Sequence, residues 1–268
     1  MNPTTDTGVG EIFASLSVGM ITLIALVLTM LRVLLLSLKS PRPGVPDEVH
    51  PKARGVAEIL ESLIIAGILV FLIIRPFFVQ AFFIPSESME PTLLGHDAVS
   101  KFGSGTTHTD TVHDHIFVNK LIYRFSEPKR GDIVVFRAPA RADSEHQDPA
   151  DKKENVLIKR LIGIPGDRIR VKESPVRQKG GAPAYAVFRN GVMLDEKGYT
   201  KEPMDAPSPG VQHAVDSDLV LGPGQLFVMG DNRNDSNDSR YWGTLDRDRV
   251  IGKANFIFFP FNRIRVLK

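Results

Sequence analysis

The chain has 268 residues and no cysteine, which excludes disulfides, thiolate catalysis and cysteine-ligated zinc. Its 33 basic and 31 acidic side chains leave a net charge of +2, so the charge balance does not point to nucleic acid. The length allows one large domain or two modest ones once any membrane segments are subtracted.

Residues 1–11 read as a short extracytoplasmic N-terminus. From Ile12 to Leu31 there is no charged residue, and apolar character resumes after Arg32 as far as Leu38. About 20 apolar residues cross a bilayer core, so residues 12–38 predict a first transmembrane helix. A cleavable leader needs a positive start, and Met1 to Gly10 contains no Lys or Arg, so the helix is expected to be retained. Residues 56–75 predict a second span. Ser62 to Ile74 is uncharged but short, and such runs are often buried core helices instead. Glu58 and Glu61 suit the first turn of a helix, and Arg75-Pro76 would end it. The loop between, residues 39–55, carries Lys39, Arg42, Lys52 and Arg54, with Arg32 nearby. The positive-inside tendency makes this loop cytoplasmic and puts residues 76–268 on the outer side. Phe77-Phe78 and Phe82-Phe83 then read either as a core strand or as an apolar surface dipping into the membrane interface.

Beyond residue 80 the pattern becomes short β-like runs separated by turn residues. Ile116-Phe117-Val118, residues 132–136, 155–158, 167–171, 185–188, 226–229 and 254–259 are the candidate strands, and Asn190-Gly191 predicts a hairpin turn. The expected class is a mainly β outer domain. Three stretches read as surface loops: Gly103 to Asp114, with His108 and His113; Ala138 to Glu154; and Met204 to Gly210.

Three stretches carry chemistry. Ser88 lies in Ile84-Pro85-Ser86-Glu87-Ser88-Met89-Glu90-Pro91-Thr92-Leu93, just after the apolar segments. A serine hydroxyl needs a base to become a nucleophile. The seven histidines offer no local support for that role: His50 falls in the predicted cytoplasmic loop and the others in polar, loop-like contexts. Lysine serves if burial keeps it neutral. Lys159 lies within Val156-Leu157-Ile158-Lys159-Arg160-Leu161-Ile162, where a strand would put it on one face with Leu157 and Leu161, opposite Ile158 and Arg160. A lysine on a solvated strand edge is the competing reading. The third stretch, Gly230 to Gly243, concentrates acidic, amide, hydroxyl and guanidinium groups. As a calcium loop it fails, because Arg233 stands at a ligand position and the closing Glu is missing. A rigid turn built on a carboxylate–Arg pair fits better.

These stretches in this order, with Arg130-Gly131-Asp132-Ile133-Val134-Val135-Phe136 and the Pro165-Gly166-Asp167 turn, resemble bacterial type I signal peptidases over about residues 56 to 260. The two expected spans and Tyr241-Trp242 resemble the Gram-negative branch. The resemblance implies a β-rich catalytic domain with a smaller β insertion at about 172–222. It implies a Ser/Lys dyad, with Ser88 as nucleophile and Lys159 as general base. Ser86 would join the Ser88 amide in the oxyanion hole, and Ser236 would orient the lysine. Asp238 and Arg240, with Arg233 nearby, would be structural support. Ile84, Met89, Leu93 and Ile158 would line small apolar substrate pockets. Signal peptides of exported preproteins, binding as an added strand near residues 82–86, and the lipid bilayer would be the partners, with the export translocase nearby; no nucleic acid, cofactor or metal is implied. The location would be the cytoplasmic (inner) membrane, multi-pass, with the catalytic domain on the periplasmic side. A non-catalytic relative and a self-cleaving Ser/Lys peptidase of the repressor type remain as alternatives. Glu87 departs from the pattern, standing where well-known Gram-negative members have glycine. Its carboxylate must point away from the oxyanion hole or oppose the developing anion.

Overall fold

The computed structural model describes residues 18–38, 51–70, 79–98, 110–143, 155–178, 180–207 and 213–267. The chain divides into two compact units, one ending at Gln80 and one running from Ala81.

The first unit holds two helices, α1 (Val18–Ser37) and α2 (Pro51–Ile68). α1 is apolar on every face, and Leu23, Leu26, Val27, Met30 and Leu34 stand exposed on it. A helix hydrophobic all round suits a membrane span. Among the described residues it is the one helix long and apolar enough to cross a bilayer. α2 starts earlier than the predicted second span, at Pro51, and so carries Lys52, Arg54, Glu58 and Glu61. That charge is why its described length does not meet the same test. The predicted stop at Arg75-Pro76 lies outside the described residues. Ala53, Ala57 and Leu60 make a buried stripe on α2 at helical spacing, and its small side chains allow close packing on α1. Arg32 Nη2 donates to Glu61 Oε2 at 2.6 Å, which ties the two helices together through charge.

The second unit is mainly β, as the sequence predicted. Its large sheet has the order β1 (Val79–Phe83), β4 (His115–Asn119), β13 (Val250–Phe259), β5 (Ile133–Arg137), β6 (Val156–Gly163), β11 (Gln225–Met229) and β12 (Leu245–Asp246), with β14 (Arg265–Val266) also paired to β13. The short strands β2 (Gly95–His96) and β3 (Val112–His113) form a separate ribbon. Alternation along the strands sorts the core. Ile133 and Val135 join Ile84, Met89 and Leu93 in one cluster, with Ile158 packed against it. Val134, Phe136 and Leu161 join Trp242 in another, with Leu157 packed against it. The predicted separation of Leu157 and Leu161 from Ile158 therefore holds. Lys159 pairs with Val134 across β5 and β6, in the middle of this two-sided core.

A four-stranded sheet, in the order β10 (Leu219–Val220), β7 (Arg168–Arg177), β8 (Pro183–Arg189) and β9 (Val192–Met193), is drawn from the stretch between β6 and β11. The β8–β9 hairpin turns at Asn190 (φ 55°) and Gly191 (φ 84°), which is the positive-φ pair the Asn-Gly sequence predicts. After β9, residues 195–205 run across the large sheet's functional loops. Tyr185 N donates to Met204 O at 2.8 Å and Lys201 N to Asp231 O at 3.2 Å. Met204 belongs to the cluster that joins the two sheets, with Ile162, Val187, Phe227 and Met229.

Candidate active site

Ser88 sits on a tight 3-10 turn, Glu87–Met89, immediately after extended Ser86. The turn is anchored by burial of Met89 in the first core cluster and by Leu93 N donating to Met89 O at 2.9 Å. The nucleophile's backbone is also gripped from the 230–240 loop. Asn232 N donates to Ser88 O at 3.1 Å, and Asn232 Nδ2 donates to Glu87 O at 3.2 Å.

Lys159 Nζ lies 2.7 Å from Ser88 Oγ, although 71 positions separate them in the chain. Its side chain is 3% exposed. Burial penalises the ammonium and brings the pKa down to about 8, with Arg240 pushing the same way and Asp238, Asp231 and Asp235 opposing. The solvated-edge reading of this lysine is thereby overturned. A neutral amine at this distance can accept the Ser88 proton as the hydroxyl attacks. Ser86 Oγ stands 3.4 Å from Ser88 Oγ, beside the nucleophile where a second hydroxyl can donate to a developing oxyanion.

The 230–240 loop is held by the buried pair Asp238–Arg240. Arg240 Nε and Nη2 donate to the two carboxylate oxygens at 2.8 and 2.9 Å. Burial pulls the Asp238 carboxyl upward, but Arg240 and the Gly230 amide outweigh it and hold the pKa below the usual carboxylate range. Asp238 also caps the short helix Ser239–Trp242 through Arg240 N. Arg240 Nη2 reaches Arg233 O at 2.7 Å, and Arg233 Nη1 reaches Glu196 Oε2 at 2.8 Å. Ser236 is buried against Gly230, and its Oγ makes no hydrogen bond to Lys159. Gly230 itself is a close-approach residue: a Cβ there would lie 2.3 Å from both Ser88 O and Ser236 Oγ.

Of the four residues expected to line substrate pockets, Ile84, Met89 and Leu93 are fully buried beneath the Ser88 turn. Ile158 retains partial exposure. The histidine-bearing loop falls largely outside the described residues. Its end does not: His113 is part-buried on β3, with Nδ1 2.9 Å from Ile84 O and Nε2 3.1 Å from Asp97 Oδ1.

The sequence reading missed a second network around the dyad. Arg160 donates through Nε and Nη2 to both oxygens of Asp231, each at 2.7 Å. Thr92 Oγ1 donates to the same carboxylate at 2.5 Å, and the Tyr199 ring lies 4.3 Å from the Arg160 guanidinium. Arg160 thus clamps the strand that carries Lys159 to both the 231 loop and the Ser88 loop. The only signal for it was an arginine adjoining the candidate base. Nothing local marked Glu196, Tyr199 or Lys201, which reach the site from the insertion.

Residues 56–259 match the family described as signal peptidase, peptidase S26. The chain is 36% identical over 224 residues to a signal peptidase I of Leptolyngbya laminosa, covering 83% of this chain and 89% of that one. It is 33% identical over 216 residues to a signal peptidase I of Bacillus licheniformis, covering 80% and 94%. A probable signal peptidase I-2 of Synechocystis is 31% identical over 208 residues, covering 78% and 76%. The class is that of the serine peptidases. Within it, this chain belongs to the S26 signal peptidase family.

Proposed function

We propose that this chain is a membrane-anchored serine endopeptidase that removes N-terminal signal peptides from exported preproteins through a Ser88–Lys159 dyad. The observation that carries the mechanism is the 2.7 Å contact between a buried, pKa-lowered amine and a hydroxyl on a constrained turn. Ser88 Oγ attacks the scissile carbonyl while neutral Lys159 takes its proton. The Ser88 amide and Ser86 hydroxyl stabilise the oxyanion. Lys159 then passes the proton to the leaving amine, and an acyl-enzyme remains on Ser88. The amine next activates water for deacylation.

Asp238, Arg240 and Arg233 hold the loop packed behind the dyad, and Ser236 fills the space against Gly230 without bonding the amine. The substrate lies as an added strand along residues 82–86, with small side chains of the cleavage site near Ile84, Met89, Leu93 and Ile158. α1 anchors the chain, α2 belongs to a second membrane segment, and the catalytic unit faces the outer side of the cytoplasmic membrane near the translocase. The basic residues between the helices support that orientation.

The test is cleavage of a preprotein by the detergent-solubilised chain. Wild type should release the signal peptide, and Ser88→Ala should not. Equal cleavage by both would refute the assignment.

A further inference from the structure

The departure at Glu87 creates a physical problem at the nucleophile. Glu87 and Glu90 bracket Ser88 on its turn, and both side chains are buried. Asp235 is close enough to feel both, and its carboxyl is pushed above the usual range by burial and then by Glu87. Glu87 and Glu90 act on Asp235, and Asp235 in turn favours the charged form of Lys159. Uncompensated negative charge on the turn that carries Ser88 would also oppose an oxyanion formed there.

A cation arrives from outside the predicted motifs. Lys201 Nζ lies 2.8 Å from Glu90 Oε2 and 3.8 Å from Glu87 Oε2. Its backbone is fixed on the loop, since Lys201 N donates to Asp231 O. The flanking chain is pinned as well: Asn234 Nδ2 donates to Glu202 Oε1 at 3.0 Å, and Tyr199 OH donates to Glu196 Oε1 at 2.8 Å. His96 Nδ1 meets the other Glu90 oxygen, and His96 Nε2 is 3.7 Å from Asp110 Oδ1. Glu202 and Lys159 are the other charged groups acting here, on Lys201 and on Asp235 respectively. An exposed pair would count for little. This one is different, because the Glu90 side chain is 4% exposed and loses its main cation if Lys201 is removed.

We propose that Lys201 is a positioning residue for the cleavage reaction, which delivers from the β insertion the charge that lets Ser88 and Lys159 work between Glu87 and Glu90. This rests on the dyad reading above. It also gives the insertion a task in the reaction: the strap 195–205 completes the electrostatics of a site whose nucleophile and base lie on the large sheet.

The experiment measures kcat and KM for preprotein cleavage against pH, using the full-length detergent-solubilised protein. Lys201→Met should move the rising limb of kcat upward by about 0.5–1 pH unit and lower kcat roughly ten-fold with little change in KM. Lys201→Arg should keep the wild-type limb. Glu87→Gln alone should move the limb downward, because it removes a negative charge from the turn that carries Ser88 and from beside Asp235. Glu87→Gln combined with Lys201→Met should return it toward wild type. A purely structural role would instead lower the thermal midpoint read from Trp242 fluorescence and leave the limb in place. The proposal is overturned if Lys201→Met keeps the wild-type limb, or if Glu87→Gln does not move it. The second arm decides even if Lys201→Met does not fold. A wild-type chain that cleaves no preprotein removes the functional reading and this assignment together; a cleaving wild type with unmoved limbs removes this assignment alone.

Discussion

Gly230→Ala should disable the site without adding or removing any polar group. The new Cβ would sit 2.3 Å from the backbone oxygen of Ser88, 2.3 Å from Ser236 Oγ and 2.6 Å from Ser236 Cβ. Ordinary contact begins at about 3.4 Å, so the neighbours must retreat by about 1 Å. One of them is main chain. Ser88 O is already held by Asn232 N, and the turn behind it rests on buried Met89. Relaxation must therefore pass into the nucleophile's own backbone. A misplacement of about 1 Å at a reacting group costs on the order of 100-fold in rate. The assay is single-turnover acylation of Ser88 by a serine-directed covalent inhibitor, followed by mass spectrometry, with Trp242 fluorescence as a folding control. Trp242 is the chain's single tryptophan, which makes that signal unambiguous. Acylation within about three-fold of wild type in a folded Gly230→Ala protein would show that the close approach does not constrain the nucleophile.

The remaining predictions concern charge. Activity should rise with pH through about 8 as Lys159 loses its proton, and a profile already flat at pH 6–7 would contradict the role of burial. Lys159→Arg should be inactive in the same cleavage assay, because a guanidinium stays protonated. Lys159→Met should also be inactive yet more stable to urea at pH 7, by about 1–3 kcal/mol. A lysine whose folded pKa lies below its unfolded one destabilises the fold at every pH below the unfolded value, and that burden is absent in Met. Asp167 works in the opposite sense. Burial opposes its ionisation, but Arg130, the Ile164 amide and Asn190 bring its pKa down to about 2. It therefore stabilises above the unfolded carboxylate pKa and loses that contribution as pH falls toward 2. Asp167→Asn should cost about 2 kcal/mol in urea unfolding at pH 7, and the gap from wild type should close at low pH.

The sequence determined the list of chemical actors and the local shapes around them. Alternating apolar residues set the strands, Asn190-Gly191 set a turn whose positive φ values few other pairs accept, and a long apolar run interrupted by Arg32 made α1. The Ser88 and Lys159 stretches stood out as candidates from a hydroxyl after apolar segments and an amine inside a greasy strand, but their roles as nucleophile and base were what the family resemblance implied. The start of α2, at Pro51, lies close to the Ala53 from which the sequence lets a helix of spanning length be counted. The order of strands in the sheet, with β1 next to β4 and β13 threaded between β4 and β5, was invisible. So was the partner of each charge: Arg160 with Asp231, and Lys201 with Glu90, are separated by 71 and 111 positions. Periodicity fixes which way a side chain faces over a few residues. What it meets across the fold depends on register and loop path. That is why the low pKa of Lys159, which comes from complete burial beside Ser88, belongs to the tertiary structure alone.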